Sequence, residues 1–352
     1  MARRLLGSVE SYRRILGGRR RRLLASLLGL GSVAAIFFYI LPRFASYGDA
    51  WIVLNGLSWR QVALVVGVTL FNLATYAPPL MTVLRLSFTQ ATGVAHITTA
   101  VGTMLPGGHL PAAAVEYRIL RRLGQQPPQI VSAIVVLALS NQLITVALPT
   151  AGLALLAASG VSAPFLVEAT VAGSVLLSAV VAGSALLLGR NRLTGRLKRR
   201  FERAIAVSLA RIGDRPTETL TGQLIRCRQI TVRLIRRRWM AVTSTEILGQ
   251  LTVFLVLLTC LRACGTAGSD VSVTEAFAAW SVVRLLTVVP IVPGGVGLVE
   301  LGLSTALIQF GGVSSQVLAG VLLYRAATVL PPILLGAGFA FAWRHSWRAA
   351  VT

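Results

Sequence analysis

The chain has 352 residues, of which 55% are hydrophobic and only 13% are charged. Soluble domains carry about 25% charged residues, so the composition excludes a mainly soluble chain and predicts a polytopic helical membrane protein. The net charge is +23, but the basic residues lie between apolar segments, as the positive-inside rule describes. The charge therefore does not indicate a nucleic-acid partner, and we expect none.

The N-terminal part of the chain predicts a basic arm and the first half of a membrane domain. Residues 1–22 carry eight arginines, which places this arm in the cytoplasm, and the first half follows over residues 23–189. Within this half, several apolar runs are long enough to cross a bilayer core of about 30 Å. The predicted full spans lie near residues 23–41, 61–84, 129–158 and 165–188.

The C-terminal part predicts a basic segment, the second membrane half and a short tail. Residues 190–238 contain 15 basic and 3 acidic residues, with apolar residues at helical spacing. This pattern indicates a cytoplasmic amphipathic segment on anionic headgroups, and a solvated basic linker is the alternative. Residues 239–343 form the second half, with full spans predicted at 241–261 and 317–343, and residues 344–352 form a cytoplasmic tail.

The distribution of basic residues predicts the orientation of the chain. Of the 34 Lys and Arg residues, 29 fall in segments that this layout places in the cytoplasm, and three fall outside. A bias of this size predicts that both termini face the cytoplasm. We therefore expect a multi-pass protein of the plasma (inner) membrane.

Each half contains an interrupted pair of apolar helices, at residues 87–124 and 273–310. Both pairs consist of an apolar helix, a Pro-Gly-Gly sequence and a second helix that contains a glutamate. In this layout the first pair begins at the cytoplasmic side and the second at the external side, which predicts an inverted-topology repeat. The predicted fold is therefore all-α, with about six full spans and two broken or re-entrant helix pairs.

The two Pro-Gly-Gly breaks are candidate binding sites. Proline removes a backbone donor and glycine frees the backbone, and the polar groups left at membrane depth are tolerated where they line a cavity. The helix that restarts presents N–H groups and a positive dipole end, which suit a phosphate group. An ordinary kink without a ligand is the alternative. The break residues are Pro106, Gly107, Gly108, Pro293, Gly294 and Gly295.

Ionisable residues near the breaks form the second part of the candidate site. Arg284, Glu300 and Arg325 lie in apolar sequence, and such residues are costly in a bilayer unless they face a cavity or one another. Two interpretations stay open: an ion pair that only holds helices together, or a cavity in which arginine binds an anionic headgroup and Glu300 balances or gates it. Glu116 and Arg118 are the predicted counterparts in the first half.

Motifs for catalysis and cofactor binding are not found in the sequence. It contains no Walker A, HExxH or GxSxG motif and no clustered aspartates, so we expect no enzymatic activity, no cofactor and no metal. Cys260 and Cys264 share a helix face with no histidine nearby, and we interpret them as packing residues.

Three stretches resemble the transmembrane region of the lysylphosphatidylglycerol synthase family, which are flippase-like membrane proteins. Residues 289–300 (VPIVPGGVGLVE) are similar to the family's second-half motif, which is more specific than its first-half motif. Residues 322–325 (LLYR) resemble the family motif that comes next along the chain. Residues 105–108 (LPGG) resemble the signature of the first half. Many members carry an Asn before that first proline and Arg-x-Gly-Glu after it, and this chain departs from both features.

The resemblance implies movement of anionic or aminoacylated lipids, or of polyprenyl-phosphate-linked sugars, between leaflets. Bifunctional members add a soluble aminoacyl-transfer domain, but only nine residues follow Trp343, so we expect no lysyl transfer by this chain. The expected partners are membrane lipids, and the favoured function is translocation of an anionic phospholipid or a polyprenyl-phosphate-linked lipid. The alternative is a non-transporting partner or regulator of a membrane glycosyltransferase or lipid synthase, which would use the basic segment.

Overall fold

The computed structural model describes residues 47–105, 109–159, 220–285 and 295–349, and the regular structure in these ranges is entirely helical. This confirms the predicted all-α fold for the described part of the chain, while the spans predicted at 23–41 and 165–188 lie outside it. The helices are, in chain order, α1 Tyr47–Asn55, α2 Trp59–Ala74, α3 Ala77–Val83, α4 Phe88–Met104, α5 His109–Arg122, α6 Pro127–Ala158, α7 Leu220–Ala263, α8 Val273–Arg284, α9 Leu298–Gln309 and α10 Ser314–Ala349.

Four helical segments are long and apolar enough to cross a membrane. They are Trp59–Val83, Pro127–Ala158, Gln229–Ala263 and Ser314–Arg344, and each coincides with a span predicted from the sequence. Their outward faces carry large exposed apolar side chains, among them Phe71, Leu334 and Phe341. A contiguous apolar exterior is unfavourable in water and suits contact with lipid, so the structure confirms a polytopic membrane protein.

The predicted span at 61–84 is interrupted in the structure. Helix α2 ends at Ala74, the chain turns at Thr75 and Tyr76, and α3 begins at Ala77. Pro78 and Pro79 follow at once. A proline ring clashes with the carbonyl one turn earlier and lacks an N–H donor, so prolines are tolerated in the first turn of α3 but end α2. The break lies at Tyr76, whose side chain is half-buried.

Helix α7 joins the basic segment to the membrane without a break at residue 238. It runs for 44 residues, which is about 66 Å at 1.5 Å per residue and exceeds the bilayer core. Its N-terminal half packs on first-half helices: the Ser132 hydroxyl donates to the Cys227 carbonyl, and the Arg238 guanidinium donates to the Thr82 carbonyl. Residues 220–238, the end of the predicted basic segment, therefore belong to the same helix as the predicted span at 241–261.

The two interrupted helix pairs begin and end with the same local signals. Helices α4 and α8 both start with a capping box, formed by Ser87 with Gln90 and by Ser272 with Glu275. In each box the serine hydroxyl oxygen accepts the backbone N–H of the Gln or Glu, and the Gln or Glu side-chain oxygen accepts the backbone N–H of the serine. Helices α5 and α9 both end in a left-handed glycine, Gly124 (φ 81°) and Gly311 (φ 111°), with the two backbone hydrogen bonds typical of such ends.

The halves pack against each other in a reciprocal way. We call α1–α6 the first half and α7–α10 the second half. Helix α4 of the first half packs against α10, and α8 of the second half packs against α6. Each contact includes a glycine on the long span: Gly336 of α10 lies against the His96 backbone, and Gly152 of α6 lies against Ser281 and Ala278. The first helix of each pair therefore packs against the span that follows the pair of the other half.

Candidate functional site

The start of α9 after the second break holds Glu300 in a fixed position. Gly295 (φ 64°) and Gly297 (φ 89°) both adopt left-handed backbone conformations, which glycine reaches without a steric penalty. Glu300 lies in the first turn of α9 and is 2% exposed. One carboxylate oxygen accepts the Gly297 N–H at 2.6 Å, and the other accepts Arg325 Nε–H of α10 at 2.7 Å.

This arrangement shows what occupies the N-terminus of α9. A helix N-terminus attracts negative charge through its N–H groups and dipole, and the Glu300 carboxylate supplies that charge from within the helix. The sequence predicts this end as a phosphate site. In the structure, a phosphate group would have to compete with Glu300 for the Gly297 N–H and for Arg325.

Arg284 is the last residue of α8 and lies beside an aromatic side chain. Its guanidinium carbon is 5.3 Å from the centroid of the Trp280 ring, a distance at which the ring face attracts a cation. The Trp280 indole N–H donates to the Tyr324 hydroxyl at 3.3 Å, and Tyr324 directly precedes Arg325 in α10. Trp280 and Tyr324 are buried. Arg284 is thus linked through Trp280 to Tyr324, the residue that precedes Arg325 in α10.

Tyr76 adds a residue of the first half to this group. Its hydroxyl lies within electrostatic reach of both Arg284 and Tyr324. We call Tyr76, Trp280, Arg284, Glu300, Tyr324 and Arg325 the arginine site. The site therefore includes the break between α2 and α3 in one half and the end of α8 in the other.

The charged residues of the arginine site lie several turns into their helices. Arg284 and Arg325 each lie 11 residues after the first residue of α8 and α10 respectively, which is about 16 Å along each helix at 1.5 Å per residue. Both distances reach the middle of a hydrocarbon core of about 30 Å. Ionisable groups at this depth usually line a substrate pathway or pair with one another.

The structure brings together only part of the predicted site. Arg284, Gly295, Glu300 and Arg325 lie at or beside the arginine site, whereas Pro106, Gly107, Gly108, Pro293 and Gly294 fall outside the described residues. Glu116 is half-buried in α5, and Arg118 of the same helix is exposed. No ion pair joins these two in the described ranges, so their role as first-half counterparts of Glu300 and its arginines stays a prediction.

Sequence reasoning missed the aromatic part of the site. Tyr76 and Trp280 were not among the predicted site residues, because neither carries a charge and each is separated from Arg325 by a long stretch of chain. The available signal for Tyr76 was Pro78-Pro79, which indicates a helix break inside an apolar span. Within the part of the chain that the structure describes, no group of three His, Cys, Asp or Glu residues could hold a metal ion.

The model of the family described as "Lysylphosphatidylglycerol synthase TM region" matches residues 22–336, which is most of the chain and includes every residue of the arginine site. A search of curated proteins finds no match. The family match confirms the resemblance that the motifs at 105–108, 289–300 and 322–325 indicate.

Proposed function

The chain belongs to the lysylphosphatidylglycerol synthase transmembrane-region family, and we propose that it moves a phosphate-bearing lipid between the two leaflets without changing it chemically. The observation that carries this proposal is the arginine site itself. Two arginines and one carboxylate in apolar helices are costly to retain unless they pair with one another or serve a polar substrate, and only one of the two arginines forms the ion pair with Glu300 that the structure describes. The family supports a role that involves membrane lipids.

The geometry favours a competition between the lipid phosphate and Glu300. Arginine binds phosphate through charge-assisted hydrogen bonds in the same way as it binds a carboxylate. A phosphate that displaced the Glu300 carboxylate would accept the Arg325 Nε–H, which Glu300 accepts at 2.7 Å in the structure. Binding would then draw Arg325 away from Glu300 and loosen the start of α9. Glu300 acts in this proposal as a gate that closes again when the lipid leaves.

An inverted repeat supplies the motion that transport requires. The reciprocal packing of α4 on α10 and of α8 on α6 supports two related halves. In transporters with inverted repeats, rocking of one half against the other opens a central site to each side in turn. The arginine site contains residues of both halves, so such a movement would change its exposure.

In the proposed orientation, the chain is a plasma-membrane protein with both termini on the cytoplasmic side. A cysteine at Ser269, which is exposed in the loop between α7 and α8, is expected to react with an impermeant maleimide in intact cells. A cysteine at Gln126, exposed between α5 and α6, is expected to react only after the cells are opened. Cys227, Cys260 and Cys264 are replaced in this background. The opposite labelling pattern would contradict the orientation.

Lipid exchange in vesicles tests the proposed transport. Purified full-length chain is reconstituted into vesicles that contain fluorescent phosphatidylglycerol, and dithionite added outside quenches whatever reaches the outer leaflet. The protein is expected to make the inner-leaflet lipid accessible. Replacing Arg284 with alanine is expected to slow this exchange by about 10- to 100-fold, since a hydrogen bond to a charged group contributes about 1.5–3 kcal/mol.

Arg85→Ala is the matched control, because Arg85 is exposed at the end of α3 and outside the arginine site. This variant is expected to exchange lipid at the wild-type rate. Equal slowing by both substitutions would indicate a general effect of positive charge. If the wild-type protein accelerates no lipid but copurifies with a glycosyltransferase or lipid synthase, the non-transporting partner function replaces the proposal.

A further inference from the structure

Glu246 is an ionisable residue in the apolar part of α7 and is not part of the arginine site. It is the only charged residue between Arg238 and Arg262, and it lies within the candidate span Gln229–Ala263. Its side chain is half-buried and forms no hydrogen bond or ion pair with the described residues. A carboxylate in such surroundings is costly to keep charged, because nothing in the described ranges compensates its charge.

Two polar side chains on the same helix also lack partners. Gln250 is 7% exposed, and its side-chain oxygen Oε1 has no hydrogen-bond partner among the described residues. The buried hydroxyl oxygen of Thr243 has none either. These two residues lie four after and three before Glu246, so all three share one face of α7, and each has its Cβ atom about 5–6 Å from that of Glu246. Three polar groups without partners therefore lie together on this face, and such groups call for an explanation when they are buried.

The same face of α7 contacts the first half of the protein. Helices α6 and α7 pack against each other, and the Gln250 side-chain nitrogen Nε2 donates to Asn141 Oδ1 of α6 at 3.0 Å. This hydrogen bond runs from the second half to the first. Glu246 lies one helical turn away from it, so Glu246 borders the contact between the halves.

The group that is missing from this face is a hydrogen-bond donor. The Gln250 oxygen only accepts hydrogen bonds, and an ionised carboxylate only accepts them too, so the charged form of Glu246 cannot pair with Gln250. A protonated carboxyl group has one O–H donor and one acceptor oxygen. It can donate to Gln250 Oε1 and accept the Thr243 hydroxyl. One proton on Glu246 therefore provides partners for all three groups and removes a charge from apolar surroundings.

The helices around α7 provide no cation that would take the place of this proton. Helices α3 and α6 contain no ionisable residue, and the other helices packed against α7 are α2, α8 and α10. None of the described charged side chains acts on Glu246 electrostatically. The described ionisable side chains on these helices or directly beside them are Arg60, Tyr76, Arg85, Glu275, Arg284, Tyr324, Arg325 and Arg344.

We propose that Glu246 binds a proton within the membrane, at the contact between α6 and α7, and that this proton stabilises the packed arrangement of the two halves. When the contact opens to water, the O–H bond of Glu246 breaks, the proton passes to a water molecule and the carboxylate remains. The proton site itself is independent of the proposed function. Its link to lipid movement rests on that function, and the experiments below test the two separately.

Infrared spectroscopy of the purified full-length chain in vesicles of phosphatidylcholine and phosphatidylglycerol tests the proton site. A protonated carboxyl group has a carbonyl band that an ionised carboxylate lacks. We expect the wild type at neutral pH to show such a band, and we expect Glu246→Gln to lack it. Raising the pH is expected to remove the band from the wild type. If the spectra of the two proteins do not differ in this band at neutral pH, the proton site is overturned.

Labelling with dicyclohexylcarbodiimide identifies the carboxyl group and the ion. This apolar reagent adds to protonated carboxyl groups: the proton passes to a carbodiimide nitrogen while a carboxyl oxygen bonds to the central carbon. Peptide mass is expected to show the adduct at Glu246, and the labelling is expected to fall as the pH is raised. Glu300, whose carboxylate accepts the Arg325 Nε–H, is the internal control and is expected to stay unlabelled. Protection of Glu246 by NaCl against choline chloride at constant pH would overturn the proton in favour of a sodium ion.

The pH dependence of lipid exchange tests the link between the proton and the movement of the halves. Wild-type exchange of fluorescent phosphatidylglycerol is expected to become faster as the pH rises through the range in which the carboxyl band disappears. Glu246→Gln has the shape of the neutral acid and donates to Gln250 Oε1 at every pH, so we expect it to keep the slow rate of the wild type at low pH. Glu275→Gln, at the start of α8, is the control and is expected to respond to pH as the wild type does.

The outcomes separate the proton site from the proposed transport. A carboxyl band from Glu246 without lipid exchange at any pH would contradict transport and support the proton site. The same pH response in the wild type and in Glu246→Gln would overturn the link to the movement of the halves. If Glu246→Gln does not fold, Glu246→Met, which is neutral and apolar, takes its place in both experiments under the same criteria.

Discussion

Replacing Glu300 with alanine is expected to destabilise the chain by roughly 3–5 kcal/mol, the effect of removing one partner of a buried ion pair. Glu300 is 2% exposed and accepts hydrogen bonds from both Gly297 N–H and Arg325 Nε–H. The substitution removes the carboxylate partner of Arg325 and the acceptor of a buried backbone donor. Thermal unfolding of the purified protein measures the loss, and we expect the melting temperature to fall by roughly 10 °C.

Glu275→Ala is the matched control for this experiment. Glu275 occupies the same first-turn position in α8 and accepts the Ser272 N–H at 2.8 Å, but no arginine contacts it in the described ranges. Losing a helix cap costs about 1 kcal/mol, so the difference between the two variants measures the ion pair. If Glu300→Ala costs no more than Glu275→Ala, the pair with Arg325 does not stabilise the fold.

Substitution of Gly336 is expected to disrupt the contact between the halves. A Cβ atom at Gly336 would overlap the His96 carbonyl oxygen and approach the Ala100 side chain. The obstacle is backbone, which cannot rotate away as a side chain would. We expect Gly336→Ala to destabilise by about 1–3 kcal/mol, and we expect loss of lipid exchange with it because α4 and α10 must separate slightly.

Gly338 provides a control two residues further along the same helix. A Cβ atom at this position meets nothing within 4 Å. Alanine has a higher helix propensity than glycine by up to about 1 kcal/mol, so Gly338→Ala is expected to leave stability unchanged or to raise it. Equal destabilisation by the two substitutions would show that the cross-half contact is not the cause.

The helical membrane fold could be predicted from the sequence because it depends on local composition. Apolar runs of sufficient length predict spans wherever they occur, and the four spans of the described residues coincide with those runs. The break at Tyr76 was not predicted, because the apolar pattern continues through Pro78-Pro79 and hydropathy does not register a missing backbone donor. Helix α7 likewise continues through residue 238, since a change from basic to apolar residues does not end a helix.

The arginine site could be predicted only in its charged residues. Arg284, Glu300 and Arg325 are conspicuous because charge is rare in apolar sequence. Whether Glu300 pairs with Arg284 or with Arg325 depends on the rotation of α9 against α10, which no local pattern determines. The contribution of Tyr76 depends on the packing of the first half against the second, so it follows only from the tertiary structure.

Reversible locking of the two halves tests most directly whether lipid crosses by their relative movement. Gly152 of α6 and Ser281 of α8 face each other across the halves, and a Cβ atom at Gly152 would lie 2.5 Å from the Ser281 hydroxyl oxygen. Cysteines at both positions, in a chain without the native three, would bring their side chains into contact. Gly152→Cys alone is the control, because its Cβ atom also approaches the Ala278 backbone at 3.2 Å.

Exchange of fluorescent phosphatidylglycerol is measured in the same vesicles before oxidation, after oxidation and after reduction. The proposed movement predicts that the oxidised double variant falls to the rate of protein-free vesicles and that reduction restores its exchange, while the single variant is unaffected throughout. Suppose that the oxidised double variant, with its disulfide verified by mass, still exchanges lipid as fast as the same variant after chemical reduction. That result would contradict transport by rocking of the halves.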